Sequence, residues 1–580
     1  MKDFILVFKV LFKNQNSRRI SGNGKKKLPS GIVNTLAMLP LAVLMCVLLG
    51  FLAVIIPDIY MLANISVAVV SAVQVLALFV TMFSTMNVLY NSPDTPFLNT
   101  LPIKHTAVFF AKFAILYIDT LLLTSSIIVP TLLTVSIVYA ALGRAMFYGF
   151  FALIFLIALT APILPLFIIT LFSMPISYIG TYFKGRSALK SVLALIFYVL
   201  IMVGYFLLVY FLSMGEAENT DSVQMGASAM TGLGIFGKVM YPNYVLVAFC
   251  LGIDAGKNFG ISFAITVGML IVMLLLAMLF YRKINLRRLE SHAETAHGAV
   301  SYKQNNIIAS LIKKDYKAII RDTNIAMSCL ANILVCPVIS AIMFFANDMG
   351  ATAEGTPEYL DNLMRIGYIF MFTVLFLGGT NMMSMLAYSR EGRSFYLTKS
   401  LPITAKDSIK AKFIASLIPF AVVMVIQVVL ALALYKVDIL SAVLFLLSAS
   451  LTIVGSNALH IYCDMRYGNV NWNTRQDLRQ VTNGNKGSFI VVFINLFIGL
   501  LALMGGILLT IFGAQIGGES AVLAIFWSVL FVLGAVVFTA GILTLHFKAE
   551  QYYEQIGERQ FKARTSKWGA RSGGSNLLMK

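Results

Sequence analysis

The sequence predicts an all-α polytopic membrane protein: about twelve transmembrane helices in two parallel six-helix repeats, each preceded by an amphipathic interfacial helix. Three observations predict it. The 580 residues are 59% hydrophobic and only 12% charged, with a mean hydropathy of +0.86. A soluble chain carries about a quarter charged residues, so there is little room here for a soluble domain. Apolar runs long enough to cross a bilayer, which takes about 20 residues, recur along the whole chain. Finally, one short stretch occurs twice: Leu101, Pro102, Ile103, Ala111, Lys112 and Phe113 return 300 positions later as Leu401, Pro402, Ile403, Ala411, Lys412 and Phe413. Each copy sits in a polar loop between two apolar runs, the pattern of an internal repeat.

The net charge of +19 invites a nucleic-acid reading, but its distribution argues against one. Basic residues cluster in alternate loops, which is the positive-inside pattern, so the expected charged partner is a surface of anionic membrane lipids. The five cysteines (Cys46, Cys250, Cys329, Cys336, Cys463) fall mostly in apolar runs and lack metal-ligand spacing. No cofactor or metal is implied.

Taken in order, residues 1–13 are too short to span. Lys2, Lys9 and Lys13 share one helical face, and Phe4, Val7, Phe8 and Leu11 share the other, which predicts a helix lying in the interface. Expected spans follow at 31–56, 63–89, 106–139, 146–172, 190–213 and 259–281. Pro162 and Pro165 in the fourth are tolerated in a membrane. Segment 214–258 is expected outside the membrane, with short interfacial or re-entrant helices. The second half opens on another amphipathic helix, in which Tyr316 and Lys317 match Phe8 and Lys9 at an offset of 308. Its Lys313, Lys317 and Arg321 lie opposite Ile308, Leu311, Ile312 and Ile319. Spans are expected at 324–346, 362–389, 407–435, 438–463, 488–513 and 519–546. The expected division is 1–288 for the first half, 289–308 for a linker, 309–546 for the second half and 547–580 for a basic tail. Both termini and both Leu-Pro-Ile loops are expected in the cytoplasm, because that places almost all Lys and Arg inside a cell membrane.

Catalytic constellations are absent: no P-loop, no H-E-x-x-H, no G-x-S-x-G, and five scattered histidines. The chain is therefore not expected to be an enzyme. The two repeated loops are the strongest candidates for function. Each holds an acidic residue (Asp94, Glu391), then an aromatic (Phe97, Phe395), then a leucine (Leu98, Leu397) and the Leu-Pro pair (Leu101 and Pro102, Leu401 and Pro402). Apolar residues on a short cytoplasmic helix have no lipid to bury in; a groove on a soluble partner would bury them. The competing reading folds Phe97 and Leu98 back onto the protein's own helices.

In order, an amphipathic helix, two spans, a loop with acid, aromatic and Leu-Pro-Ile, a Lys-Phe in the next span and four more spans resembles the permease subunits of bacterial ABC-type exporters, once per half. The resemblance implies transport, with export driven by a separate cytoplasmic ABC ATPase. It implies that loops 91–104 and 389–404 are coupling helices and that 1–13 and 309–322 are elbow helices. Family permeases often have six spans and pair up; here two halves look fused, so one chain would bind two ATPase subunits. No motif specifies the transported substrate.

Four intramembrane polar residues complete the candidates. Asp119 lies about 13 residues into the third span, where a carboxylate is costly unless paired or hydrated; Lys112, seven residues earlier, is its possible structural partner. Asn381, Asn457 and His460 suit bonds between neighbouring helices better than substrate contact. The main rival reading is a secondary active transporter with two six-helix halves, which would place coupling-ion carboxylates in several spans. A membrane enzyme on lipid-linked substrates would need acids or histidines clustered at an interface, and a non-transporting anchor would show partner binding alone.

Overall fold

The computed structural model describes residues 2–17, 94–143, 150–180, 191–200, 255–281, 306–348, 358–468, 486–516 and 519–556, with isolated residues between these segments. Most of the expected first and second spans, residues 214–254 and the end of the tail lie outside the described residues. The described segments are helical, without a strand. Seven helices among them are long and apolar enough to cross a membrane: His105–Val138, Ile154–Ile179, Gly260–Tyr281, Arg365–Ser400, Ala405–Ala433, Ile439–Tyr467 and Ala521–Gln555. An eighth is reached when Ile307–Arg321 and Ile325–Ala341, bent by 108° between them, are taken together. The chain divides into two compact units: Met1–Arg186 with Leu207–Thr295, and Ser187–Phe206 with Ala296–Lys580.

In the first unit, helix Lys2–Ser17 packs on helix His105–Ala141. Val7 and Leu11 are buried in a cluster with Leu89, Leu98, Phe109 and Tyr281. The opposite flank is apolar too: Ile5, Leu6, Val10 and Phe12 are exposed, so the helix has a protein-facing and a free apolar side. The 37 residues of His105–Ala141 span about 56 Å at 1.5 Å per residue, well beyond a hydrocarbon core of about 30 Å. The expected fourth span is two helices, Phe150–Thr160 and Ile163–Gly180. Pro162 cannot donate a backbone hydrogen bond, so the ladder breaks there. Gln74 Nε2 donates to the Ala161 carbonyl (2.8 Å) and Tyr117 Oη to that of Leu159 (2.6 Å), so these carbonyls do not face lipid unbonded.

In the second unit, the tenth and twelfth spans touch backbone to backbone. A Cβ built on Gly541 would lie 2.3 Å from the Gly455 carbonyl oxygen, so only glycine permits that crossing. The eighth span is interrupted. Helix Glu358–Thr373 widens into a π turn, Val374–Gly379, and stops at Thr380. A short helix, Met382–Met385, a 3-10 turn, Ser389–Ser394, and the loop helix Phe395–Ser400 follow.

Candidate functional site

The two Leu-Pro-Ile loops share one local structure. Thr95–Thr100 and Phe395–Ser400 are six-residue helices. Pro102 and Pro402 disfavour helical backbone in the residue before them, and Leu101 (ψ 147°) and Leu401 (ψ 150°) are extended, which ends each helix. The amides of Ile103 and Ile403 then donate to the carbonyls of Leu101 and Leu401, both at 2.7 Å, closing the same tight turn. The next helices begin at His105 and Ala405.

This register changes how the loops correspond. Counting back from the shared leucine, Phe97 matches Leu397, Leu98 matches Thr398, and Thr95 matches Phe395. Burial follows that register: Phe97 is 65% exposed and Leu397 72%, whereas Thr95, Phe395, Leu98 and Thr398 are all buried. Pairing the two phenylalanines from sequence was therefore wrong, because a six-residue helix turns one residue's face by about 100° per step. Phe395 is a core residue, ringed edge-on by Tyr388 (5.7 Å) and Tyr553 (5.8 Å). Leu98, also expected on the docking face, packs inside. Pro102, Pro402 and Leu401 are exposed, and Leu101 and Asp94 are half-buried.

Glu391 is likewise not a free acidic residue: its side chain is 7% exposed. It belongs to a buried ionic junction centred on Asp315, in helix Ile307–Arg321. Asp315 accepts from Arg390 Nη2 (2.5 Å) and from Lys412 Nζ (2.6 Å). Lys412 also pairs with Glu391 and lies 5.6 Å from the Tyr388 ring centre. The other Glu391 oxygen accepts from Lys314 (3.3 Å) and from Thr398 Oγ1 (3.0 Å) on the loop helix. Arg390 Nη1 donates to the Met383 carbonyl (3.0 Å). Burial alone would raise the Asp315 carboxyl; the charges of Lys412 and Arg390 outweigh it and hold the pKa below the usual carboxylate value.

The turn that delivers Arg390 and Glu391 is held from the tenth span. Asp464 accepts from the amides of Tyr388 (2.7 Å) and Ser389 (3.0 Å) and from the Ser389 hydroxyl (2.5 Å). Gly392 has φ 57° and ψ −138°, a backbone region open essentially to glycine alone. Tyr316 Oη donates to the Ala415 carbonyl (2.8 Å), tying the interfacial helix to the ninth span.

Sequence reading missed Asp315, Arg390 and Lys412. The available signal was on helix 307–321: Asp315 falls in the middle of the apolar stripe formed by Ile308, Leu311, Ile312 and Ile319. A carboxylate there must be buried with a cation. Lys412 was visible as a repeated residue without a role.

The intramembrane candidates separate into two cases. Asn381, Asn457 and His460 come together around the break in the eighth span. Asn381 Nδ2 donates to Asn457 Oδ1 (2.8 Å), which also accepts from Ser384 Oγ (2.7 Å). His460 Nε2 lies 3.0 and 3.1 Å from the carbonyls of Gly378 and Gly379, so that nitrogen carries the proton. Asp119 belongs to the first unit, where it is half-buried. Lys112 turns to Thr95 Oγ1 (2.7 Å) and the Leu89 carbonyl (3.4 Å).

The family model described as "Membrane protein of 12 TMs" matches residues 30–548. The chain belongs to that family. No curated protein and no solved structure matches it. This twelve-span membrane protein carries, at the end of one spanning helix, four buried charges (Asp315, Arg390, Glu391 and Lys412) with the exposed Lys314 at their edge. Among the described residues no group of histidines, cysteines and carboxylates suits a metal ion.

Proposed function

We propose that this twelve-span protein is the membrane-spanning permease subunit of an ATP-binding cassette transporter, an exporter driven by separate ATPase subunits. The observation that carries the reading is the pair of loop helices. At the same register, Phe97 and Leu397 stand out at 65% and 72% exposure, each on a six-residue helix at the end of a long apolar helix. Single exposed apolar side chains are ordinary. Two at matched positions, next to the same Leu-Pro-Ile turn, are a feature kept for something that binds there. In this reading the loops face the cytoplasm of a cell membrane, each docks in a groove of one ATPase subunit, and helices 2–17 and 307–321 are elbow helices of two fused six-span halves. The chain has no nucleotide-binding motif, so ATP hydrolysis resides in the partner.

The test is a detergent pull-down with mass spectrometry of the co-purifying proteins. Wild type is compared with Phe97→Asp plus Leu397→Asp. Recovery of a P-loop ATPase with wild type and its loss in the double variant supports the reading. Recovery of no such ATPase from monodisperse wild-type protein overturns it and leaves the secondary transporter, with Asp119 as the next residue to replace.

A further inference from the structure

The ionic junction joins three separate stretches of the second unit. Asp315 belongs to the interfacial helix, Arg390 and Glu391 to the turn after the eighth span, and Lys412 to the start of the ninth. Each carboxylate takes cations from two directions: Asp315 bridges Arg390 and Lys412, and Glu391 bridges Lys412 and Lys314. The loop helix joins through Thr398, whose hydroxyl accepts from Lys314 at 2.5 Å and donates to Glu391. Removing Asp315 leaves the buried Arg390 without its carboxylate, so these stretches cannot slide past one another by small steps.

Above the junction the connection is of another kind. The eighth span loses its regular ladder between Val374 and Asn381. On one side of the break, helix Glu358–Thr373 packs closely on the eleventh span, where a Cβ on Gly367 would come within 3.1 Å of the Ala502 carbonyl. On the other side, residues 381–389 are held by Asn457 and Asp464 of the tenth span. Helix breaks bonded by neighbouring side chains are places where a spanning helix bends.

We propose that the Asp315-centred junction makes the interfacial helix Ile307–Arg321 and the loop segment 389–400 one rigid lever, which bends against the upper eighth span at the break between Gly378 and Asn381. Displacing the loop helix then carries the interfacial helix with it. At the matching position of the first interfacial helix the residue is Val7, which brings no charge to its loop. The lever is a property of the chain itself and stands whether or not an ATPase is what moves it.

Amide hydrogen exchange on the purified full-length protein tests this, following peptides that cover 307–321, 389–404 and 94–104. In Asp315→Asn the first two are expected to speed up together by at least tenfold, with 94–104 unchanged. Acceleration of only one of the two, or of neither, overturns the lever. Acceleration of all three overturns it as well, because the junction is then a global folding element. Should Asp315→Asn fail to fold, Thr398→Val removes the loop helix's hydroxyl without unpairing a buried charge. It is expected to give a smaller, several-fold rise in the same two peptides, and no rise overturns the proposal.

Discussion

The two loop junctions follow one backbone plan, and their interfacial helices join it through different chemistry. Both bury a lysine at the matched position, Lys112 and Lys412. In the first junction the interfacial helix contributes Val7 and Leu11 to an apolar cluster, and Lys112 donates to the Thr95 hydroxyl and the Leu89 carbonyl. Around Lys412 there are two carboxylates, and the interfacial helix contributes Asp315. Apolar contact is non-directional and tolerates small shifts. A buried ionic network holds only in one geometry, because its charges were stripped of water and depend on each other. The difference teaches that a repeated sequence motif can preserve shape while its two copies differ in stiffness.

The largest test of that contrast replaces the residue that creates it. Asp315→Leu leaves Arg390 and Lys412 buried without their shared carboxylate and is expected to cost about 3–5 kcal/mol of stability. Val7→Ala at the matched position costs about 1–3 kcal/mol, the ordinary price of a truncated core residue. Thermal or denaturant unfolding of the purified proteins measures both; equal losses would erase the distinction. Asp315→Val together with Arg390→Met retains the Lys412–Glu391 pair and should regain at least half of the loss. If the pair is as damaging as Asp315→Leu alone, charge imbalance is not the cause.

Gly392→Ala comes next. A Cβ at φ 57°, ψ −138° costs about 1–3 kcal/mol and should loosen the turn that carries Arg390 and Glu391, read as faster exchange in 389–404. Acid gives a smaller effect with a definite sign. The Asp315 pKa is lowered in the folded protein, so its contribution is present above the ordinary carboxylate value near about 4 and fades as pH falls below it. Stability of wild type should therefore drop more steeply below about pH 4 than that of Asp315→Asn; parallel curves would contradict the ion pairing. Least of all, Phe97→Asp and Leu397→Asp should each change stability by under about 0.5 kcal/mol, since both side chains are exposed. A large loss at either position would mean that the residue packs inside.

Much of the fold was legible from the sequence, and the site only partly. The ninth span was expected at 407–435 and is helical over Ala405–Ala433; the tenth, expected at 438–463, runs over Ile439–Tyr467. Long apolar runs leave the backbone few choices, because every amide in lipid must be bonded within its own helix. The break in the eighth span was not legible, since Gly378 and Gly379 read equally well as packing residues. The loops were found by their repetition, yet their exposed faces were misassigned at Phe395, Leu98 and Glu391. A six-residue helix holds too few turns for its sequence to show which side is covered.

By itself the sequence determined that this protein is built of membrane-spanning helices, where most of them run, and that two loops share Leu-Pro-Ile. Composition and apolar run length settle these matters locally, through hydration of the backbone. Only the tertiary structure decided that Phe97 and Leu397 are the exposed pair, that Phe395 is core, and that Asp315, Arg390, Glu391 and Lys412 meet. Those residues are up to 97 positions apart, and a buried charge chooses its partner by proximity in the fold, which no local pattern encodes.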